Sequence, residues 1–288
     1  MDLNLTGRVV LVTGGSKGIG LACAEAFLAE GARVAICSRA QANLDAAAEK
    51  LSGVGHDVLA VAADLSRRDT AAGVVARVEE RLGPLDVLVC SAGAARRTSP
   101  DRLDEGAWHD AMDAKFFATI HAIQAVLPGM SVRRRGAIVS VVGQGGKVAS
   151  PTHLAGGAAN AALMLATAGL AAAAGPAGVR VNAVNPGRTL TERAQAAFRA
   201  EAERLGIGED QARADEAARI PLQRFAAPEE VARVVLFLAS DHASYVTGAV
   251  LSMDGGASGS SGASESEPPQ RVRSWTAKPG KRSAIRGA

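Results

Sequence analysis

A glycine-rich turn follows the first apolar segment of the chain. Residues 8–13 (RVVLVT) predict a strand, and the residues 13–20 (TGGSKGIG) join it to an amphipathic stretch that closes at Gly31. In a strand, turn and helix of this kind, glycines let the backbone approach a pyrophosphate, and the helix N-terminus supplies N–H donors. An ordinary tight turn is the alternative. The candidate phosphate-binding residues are Gly14, Ser16, Lys17, Gly18, Ile19 and Gly20.

The end of the second predicted strand distinguishes the two kinds of nicotinamide dinucleotide. An acid at this point binds the ribose hydroxyls, whereas an arginine accommodates a 2′-phosphate. The chain has Cys37, Ser38 and Arg39 there, with no acid. The Arg39 guanidinium can hold a phosphate through two hydrogen bonds, and Lys17 can add a second cation. The sequence therefore favours NADP(H) over NAD(H), with Ser38 and Arg39 among the binding residues.

The elements that must position these residues alternate along the chain. Further strands are predicted near 33–37, 57–62, 85–90, 136–142, 179–184 and 247–252, with Ala-rich helical segments between them. About seven such units predict a single α/β domain over residues 1–256, with a doubly wound, parallel Rossmann-type sheet between two helical layers. A charged helical insertion at 188–220 predicts a substrate lid with Phe198, Leu205 and Ile207 as apolar contacts. Residues 257–288 are rich in Ser, Gly, Pro and charge, which predicts a disordered tail.

Composition excludes several classes of protein. The net charge of +3 lies in the tail, where six Lys or Arg meet two Glu, and the nearly neutral body gives no footprint for nucleic acid. The three cysteines have no C-x-x-C spacing, so neither a disulfide framework nor a metal site is expected. No signal-peptide pattern is present, and no apolar stretch of ~18 residues lacks Gly, Pro or charge. We expect a cytoplasmic protein with a small-molecule substrate and no membrane partner.

Several motifs in the same order resemble the short-chain dehydrogenase/reductase family across residues 5–256. They are TGGSKGIG at 13–20, Asp64-Leu65, Cys90-Ser91-Ala92-Gly93, Val181-Asn182, Asn185-Pro186-Gly187, Val246-Thr247-Gly248 and Asp254-Gly255-Gly256. The resemblance implies that Asp64 contacts the adenine end of the cofactor and that Thr191 reaches the nicotinamide carboxamide. The other cofactor-binding residues that it implies are Leu65, Ser91, Ala92, Gly93, Pro186, Gly187 and Thr189.

The catalytic set of that family does not carry over. The family uses Asn, Ser, Tyr and Lys, with the Tyr as general acid and base four residues before the Lys. The matching positions are Lys115, Gly143, Gly156 and Asn160, so all four are altered. The only tyrosine is Tyr245, just before the last strand, so no shift of register can restore the proton donor.

Three residues are the candidates for chemistry at the altered site. Lys115 and Asn160 stand at the family's Asn and Lys positions with their identities exchanged, which leads to the hypothesis that the Lys115 amine fills the space of the missing Lys. The alternative is that Lys115 extends to solvent. His153, three residues before the lost Tyr, has a suitable side chain for a proton donor, and a helix cap or surface residue is its alternative interpretation.

Three functions are compatible with this sequence. The first is an NADP(H)-dependent oxidoreductase that acts on a carbonyl or alcohol with a nonstandard donor. The second is a lyase or dehydratase without redox chemistry. The third is a nucleotide-binding pseudoenzyme, such as a partner subunit or an NADP(H) sensor. The resemblance also implies a homotetramer or homodimer formed through the helices at 104–127 and 153–174 and the last strand.

Overall fold

The computed structural model describes residues 2–52, 58–93 and 95–258. Seven strands form one sheet in the order β3-β2-β1-β4-β5-β6-β7, and all six pairings are parallel. The strands are β1 (Val9–Thr13), β2 (Arg33–Ser38), β3 (Leu59–Ala62), β4 (Val87–Cys90), β5 (Gly136–Val141), β6 (Val179–Pro186) and β7 (Val250–Met253). The predicted doubly wound α/β fold is confirmed, and the order reverses beside β1, where such sheets bind ligands.

Helices cover both faces of the sheet because its strands are apolar on both sides. In β1, Val10 and Val12 pack with the first helical layer, while Val9 and Leu11 pack with the second. The first layer holds α1 (Gly18–Ala29), α2 (Gln41–Ser52) and α9 (Pro228–Ala239). The second layer holds α3 (Arg68–Leu82), α5 (Ala118–Arg133) and α6 (Leu154–Ala174).

The helix predicted across 104–127 is divided in the structure. It begins with α4 (Glu105–Ala111), capped by the Asp104 carboxylate, which accepts a hydrogen bond from Ala107 N at 2.9 Å. A π-helical turn, Met112–Phe117, then joins α4 to α5. This wider turn carries Lys115, and such turns are frequent at functional sites.

The segment after β6 forms two helices, α7 (Glu192–Leu205) and α8 (Glu209–Ala218). Phe198 on α7 packs against Phe225 with ring centroids 4.9 Å apart, and Ile220 completes this small apolar cluster. The predicted lid therefore has its own core, while its movement stays a prediction. The predicted disordered tail falls almost wholly on residues 259–288, outside the described residues.

Candidate functional site

A cleft of ≈ 650 Å³ opens at the carboxyl ends of the strands, where doubly wound sheets bind their ligands. Its walls come from the ends of β1, β2, β4, β5 and β6, and from the π-helical turn and α7. Of the seventeen cofactor-binding residues predicted from the sequence, Gly20 alone does not line it. The sixteen that do are Gly14, Ser16, Lys17, Gly18, Ile19, Ser38, Arg39, Asp64, Leu65, Ser91, Ala92, Gly93, Pro186, Gly187, Thr189 and Thr191.

The first turn of α1, which follows the glycine-rich turn, directs N–H groups at this cleft. Helix α1 begins at Gly18, and neither a capping side chain nor an acid in its first turn satisfies its N–H groups. Gly14 has φ +67°, and a Cβ there would lie 2.6 Å from Ser91 O, so no other residue fits. A Cβ on Gly20 would overlap the Gly14 carbonyl, which makes Gly20 a packing residue rather than a wall of the cleft. These features fit a bound diphosphate.

The β2 end of the cleft combines one cation with one acid. Arg39 is exposed on its wall, and Asp64 accepts a hydrogen bond from Ser66 N at 3.0 Å. That backbone bond, with a smaller contribution from the Arg39 charge, lowers the pKa of Asp64 and keeps the carboxylate ionised. Lys17 Nζ lies 3.6 Å from the Glu192 carboxylate on α7, so Lys17 forms an ion pair with the lid.

The other end of the cleft is fixed by hydrogen bonds between strand ends. The Ala92 N–H donates to Thr13 Oγ1 at 3.3 Å, which ties the end of β4 to the end of β1. Gly187 N donates to Met253 O at 3.1 Å and ties β6 to β7. Thr191 caps α7 by accepting from Ala194 N at 3.4 Å, so the first turn of the lid is held beside the cleft.

The altered catalytic positions converge in space. Lys115 Nζ donates to Asn160 Oδ1 at 3.0 Å, so the lysine side chain is directed inward, to the residue that the resemblance places at the family's Lys position. A Cβ on Gly143 would lie 3.2 Å from Asn160 Nδ2, so the amide also adjoins the family's Ser position. Lys115 and Gly143 line the cleft, while Asn160 is 2% exposed and lies behind them. Burial, followed by the charge of Arg193, lowers the pKa of Lys115 to about 8.

The His153 ring lies over Gly156, the position that the resemblance assigns to the family's Tyr. A Cβ on Gly156 would overlap the His153 ring, with Nε2 at 2.6 Å, and would lie 2.7 Å from the Ala95 Cβ. The ring does not line the cleft, and its Nδ1 is buried without a hydrogen-bond partner among the described residues. Burial, and then the charges of Lys115 and two arginines, lowers the pKa of His153, so the ring is neutral at neutral pH.

Two arginines on the walls of the cleft have no motif in the sequence. Arg97 follows β4, and Arg193 lies in the first turn of α7, two residues after the capping Thr191. Of the three apolar lid residues predicted to meet the substrate, Phe198 lines the cleft, whereas Leu205 and Ile207 do not. Arg193 could have been predicted from the sequence because it lies two residues after Thr191, which the resemblance places at the cofactor. Arg97 had no such signal, because its segment has no regular structure.

Comparison with known proteins agrees with this architecture. A family model described as Enoyl-(Acyl carrier protein) reductase matches residues 14–258. The 2-(S)-hydroxypropyl-CoM dehydrogenase 3 of Xanthobacter autotrophicus Py2 is 37% identical over 259 residues, which cover 89% of this chain and 98% of that one. This relative is named as a dehydrogenase, which agrees with the oxidoreductase activity expected for this chain.

Two solved structures are similar over nearly the whole domain. The L-sorbose reductase of Gluconobacter frateurii, complexed with NADPH and L-sorbose, has a TM-score of 0.84 and 31% identity, covering 88% of this chain and 98% of that one. The NADPH-bound short-chain oxidoreductase of Pseudomonas aeruginosa PAO1, which contains an atypical catalytic center, has a TM-score of 0.80 and 34% identity, covering 87% and 97%. Sheet order, glycine-rich turn and sequence likeness agree, and the chain belongs to the short-chain dehydrogenase/reductase family of oxidoreductases.

Proposed function

We propose that the protein is an NADP(H)-dependent oxidoreductase that interconverts a carbonyl and an alcohol, with Lys115 as the proton donor in place of the family's Tyr. The observation that carries this proposal is the Lys115 amine, which lies on the wall of the cleft and is anchored to Asn160 at 3.0 Å. A reduced nicotinamide, when bound, supplies the hydride for the carbonyl carbon. The chain must then supply the proton.

Lys115 is suited to that step by its proton affinity. A general acid works best when its pKa is near the operating pH. Burial and the charge of Arg193 lower the pKa of Lys115 to about 8, so the amine is protonated at pH 7 and loses its proton readily. In the reduction direction Lys115 Nζ donates a proton to the carbonyl oxygen and regains one from solvent through the cleft.

His153 and Asn160 have positioning roles in this proposal. The lowered pKa of His153 leaves its ring neutral at neutral pH, so it has no ready proton to give. We therefore favour Lys115 over His153 as the donor, although the sequence left both open. Asn160 holds the amine through its Oδ1, and His153 fills the space above Gly156 at the start of α6.

The preference for NADP(H) rests on Arg39. It lies on the wall of the cleft at the end of β2, and no acid stands at that strand end to bind a free ribose diol. NADPH is the cofactor of the L-sorbose reductase and P. aeruginosa structures. A guanidinium can bind a 2′-phosphate through two hydrogen bonds, and NADH offers it no such group.

A titration of NADPH and NADH tests this assignment. We expect Arg39→Ala to weaken NADPH binding by about tenfold or more and to leave NADH binding unchanged, since a charged hydrogen bond contributes about 1.5 to 3 kcal/mol. Arg68→Ala, at an exposed arginine outside the cleft, is the matched control. Equal loss for both cofactors, or none for either, would contradict the assignment.

Turnover separates the three candidate functions. Oxidation of NADPH with a panel of ketones and aldehydes, lost in Lys115→Met, supports the reductase. NADPH binding with no oxidation by any carbonyl favours a pseudoenzyme, and a product formed without cofactor oxidation favours a lyase or dehydratase. We also propose that the protein is a cytoplasmic homo-oligomer.

A further inference from the structure

Arg97 and Arg193 place two guanidinium groups on the walls of the cleft. Arg97 comes from the segment after β4, and Arg193 from the first turn of the lid helix α7. Arg97 Nη1 donates to Thr152 Oγ1 at 3.3 Å, which holds it next to the segment that carries His153. Within residues 2–52, 58–93 and 95–258, neither arginine has a carboxylate oxygen within 4.0 Å.

Two other cations of the cleft wall are paired with acids of the lid. Arg188 forms an ion pair with Glu216 of α8, and Lys17 lies 3.6 Å from Glu192. Four described lining cations, Arg39, Arg97, Lys115 and Arg193, have no carboxylate oxygen within 4.0 Å. Arg39 lies at the end of β2, whereas the charges of the other three all act on His153.

The charges of these two arginines affect Lys115 and His153, the side chains at the proposed reaction site. The charge of Arg193 adds to burial in lowering the pKa of Lys115, and Arg97 and Arg193 both contribute to the lowered pKa of His153. The charges of Lys115 and Arg193 therefore repel each other, and the charges of Arg97, Lys115 and Arg193 all act on His153. An anionic ligand at this end of the cleft would offset this concentration of positive charge.

We propose that the substrate is an oxo acid, whose carboxylate binds between Arg97 and Arg193 while its carbonyl lies beside Lys115. The inference rests on the proposed reductase function and names the substrate class of the same site. Guanidinium groups bind carboxylates through paired hydrogen bonds. Phe198 and Phe225 on the same walls offer an apolar surface for the carbon chain of the acid.

Matched pairs of carbonyl compounds test the charge directly. Six-carbon α-, β- and γ-oxo acids and their methyl esters are compared by NADPH oxidation. We expect kcat/KM for the best acid to exceed that for its ester by about 10 to 150-fold, which corresponds to one charged hydrogen-bonded contact. Arg193→Gln and Arg97→Gln should each reduce this ratio mainly through KM for the acid. Esters reduced as well as acids, or variants that lower both rates equally, would overturn the inference.

Arg199→Gln is the matched control on the same helix. Arg199 is exposed on α7 and does not line the cleft, so the acid-to-ester ratio should stay at its wild-type value. The affinity of each variant for NADPH, measured alongside, reports on folding of the cofactor site.

A binding experiment keeps this inference separate from the proposed function. If no carbonyl is reduced, the reductase proposal fails, and the site is then probed by calorimetry on the NADP⁺-loaded protein with butanoate, hexanoate and octanoate and their primary amides. Binding of a carboxylate in preference to its amide, weakened at least tenfold by Arg193→Gln, would support the anion site. Equal binding of acid and amide, or no binding of either, would overturn it.

Discussion

Lys115 is an amine that the fold withdraws from water. Burial, and then the charge of Arg193, lowers the pKa of Lys115 from 10.5 to about 8. The folded state is therefore penalised while the amine is protonated, below about pH 8, and the penalty disappears as the pH rises towards 10.5. We expect Lys115→Met to raise the free energy of unfolding at pH 7 by about 1 to 2 kcal/mol, after the lost hydrogen bond to Asn160 is allowed for.

Urea unfolding at pH 7 and pH 10 checks this expectation. The advantage of Lys115→Met should be largest at pH 7 and should shrink at pH 10, where the wild-type amine is deprotonated in the folded state. Lys147→Met is the matched control, because Lys147 is exposed, lies outside the cleft and donates to Ser252 Oγ at 2.7 Å. A gain that is the same at both pH values would show that Lys115 is not penalised by its charge.

The same amine should govern the pH dependence of carbonyl reduction. Because the donor must be protonated, kcat should fall as the pH rises through about 8. Lys115→Met should lower kcat by about 10² to 10⁴-fold and abolish this fall. His153→Asn should keep the rate within about tenfold, since a neutral ring supplies no proton. A fall that persists in Lys115→Met but vanishes in His153→Asn would make His153 the donor.

At the scale of the helix, the first turn of α6 contains a glycine that is covered by the ring of a nearby residue. Gly156 is buried, and a Cβ there would overlap the His153 imidazole and lie 2.7 Å from the Ala95 Cβ. We expect Gly156→Ala to lower the free energy of unfolding by about 1 to 3 kcal/mol through overpacking, although alanine is the better helix former.

A double-mutant cycle isolates the contact between the two residues. In a His153→Ala background the ring is absent, so Gly156→Ala should cost less than in wild type, with a coupling of about 1 kcal/mol or more. Gly169→Ala, in the same helix with no atom within 4 Å of the added Cβ, is the control and should be neutral or stabilising. Additive costs in the cycle would mean that the ring does not fill the space above Gly156.

The order of the elements was predictable because each strand is a short apolar run between polar or glycine-rich segments. Strand β1, for example, lies within the predicted run 8–13, and β6 continues two residues past its predicted end at Val184. The π-helical turn was not predicted, since its residues fit an uninterrupted helix as well as a widened one. Helical periodicity gives no signal for one extra residue in a turn.

The two halves of the site differed in how far sequence could predict them. The phosphate-binding half depends on backbone shape, and glycines at fixed spacing report that shape. The reacting half depends on contacts between side chains from separate segments. Lys115 meets Asn160 across 45 residues, and Arg193 influences both Lys115 and His153 from a third segment. No spacing rule links these positions, so only the fold brings them together.

For the molecule as a whole, the outer face of α6 is more apolar than one chain explains. Residues Leu154–Ala177 are long and apolar enough to cross a membrane by length and composition, and only 33% of the window is buried. The same helix packs against β6 and the π-helical turn and carries the buried Asn160. Insertion of α6 into a membrane would break its contacts with β6 and the π-helical turn. A second copy of the chain could cover the exposed face of α6 and leave those contacts in place.

Leu165 is the residue at which contact between copies of the chain through α6 can be tested. It is 78% exposed on α6, and Trp108 and Phe117 on the neighbouring turns are also exposed apolar side chains. Leu165→Glu would bury an unpaired charge in any contact between copies, at a cost of several kcal/mol. We expect it to convert a homo-oligomer into monomers in sedimentation velocity, with NADPH binding retained. Leu205→Glu, on the lid and 48% exposed, should leave the assembly unchanged. A wild-type protein that sediments as a monomer, or a Leu165→Glu variant that stays assembled, would remove α6 from the interface.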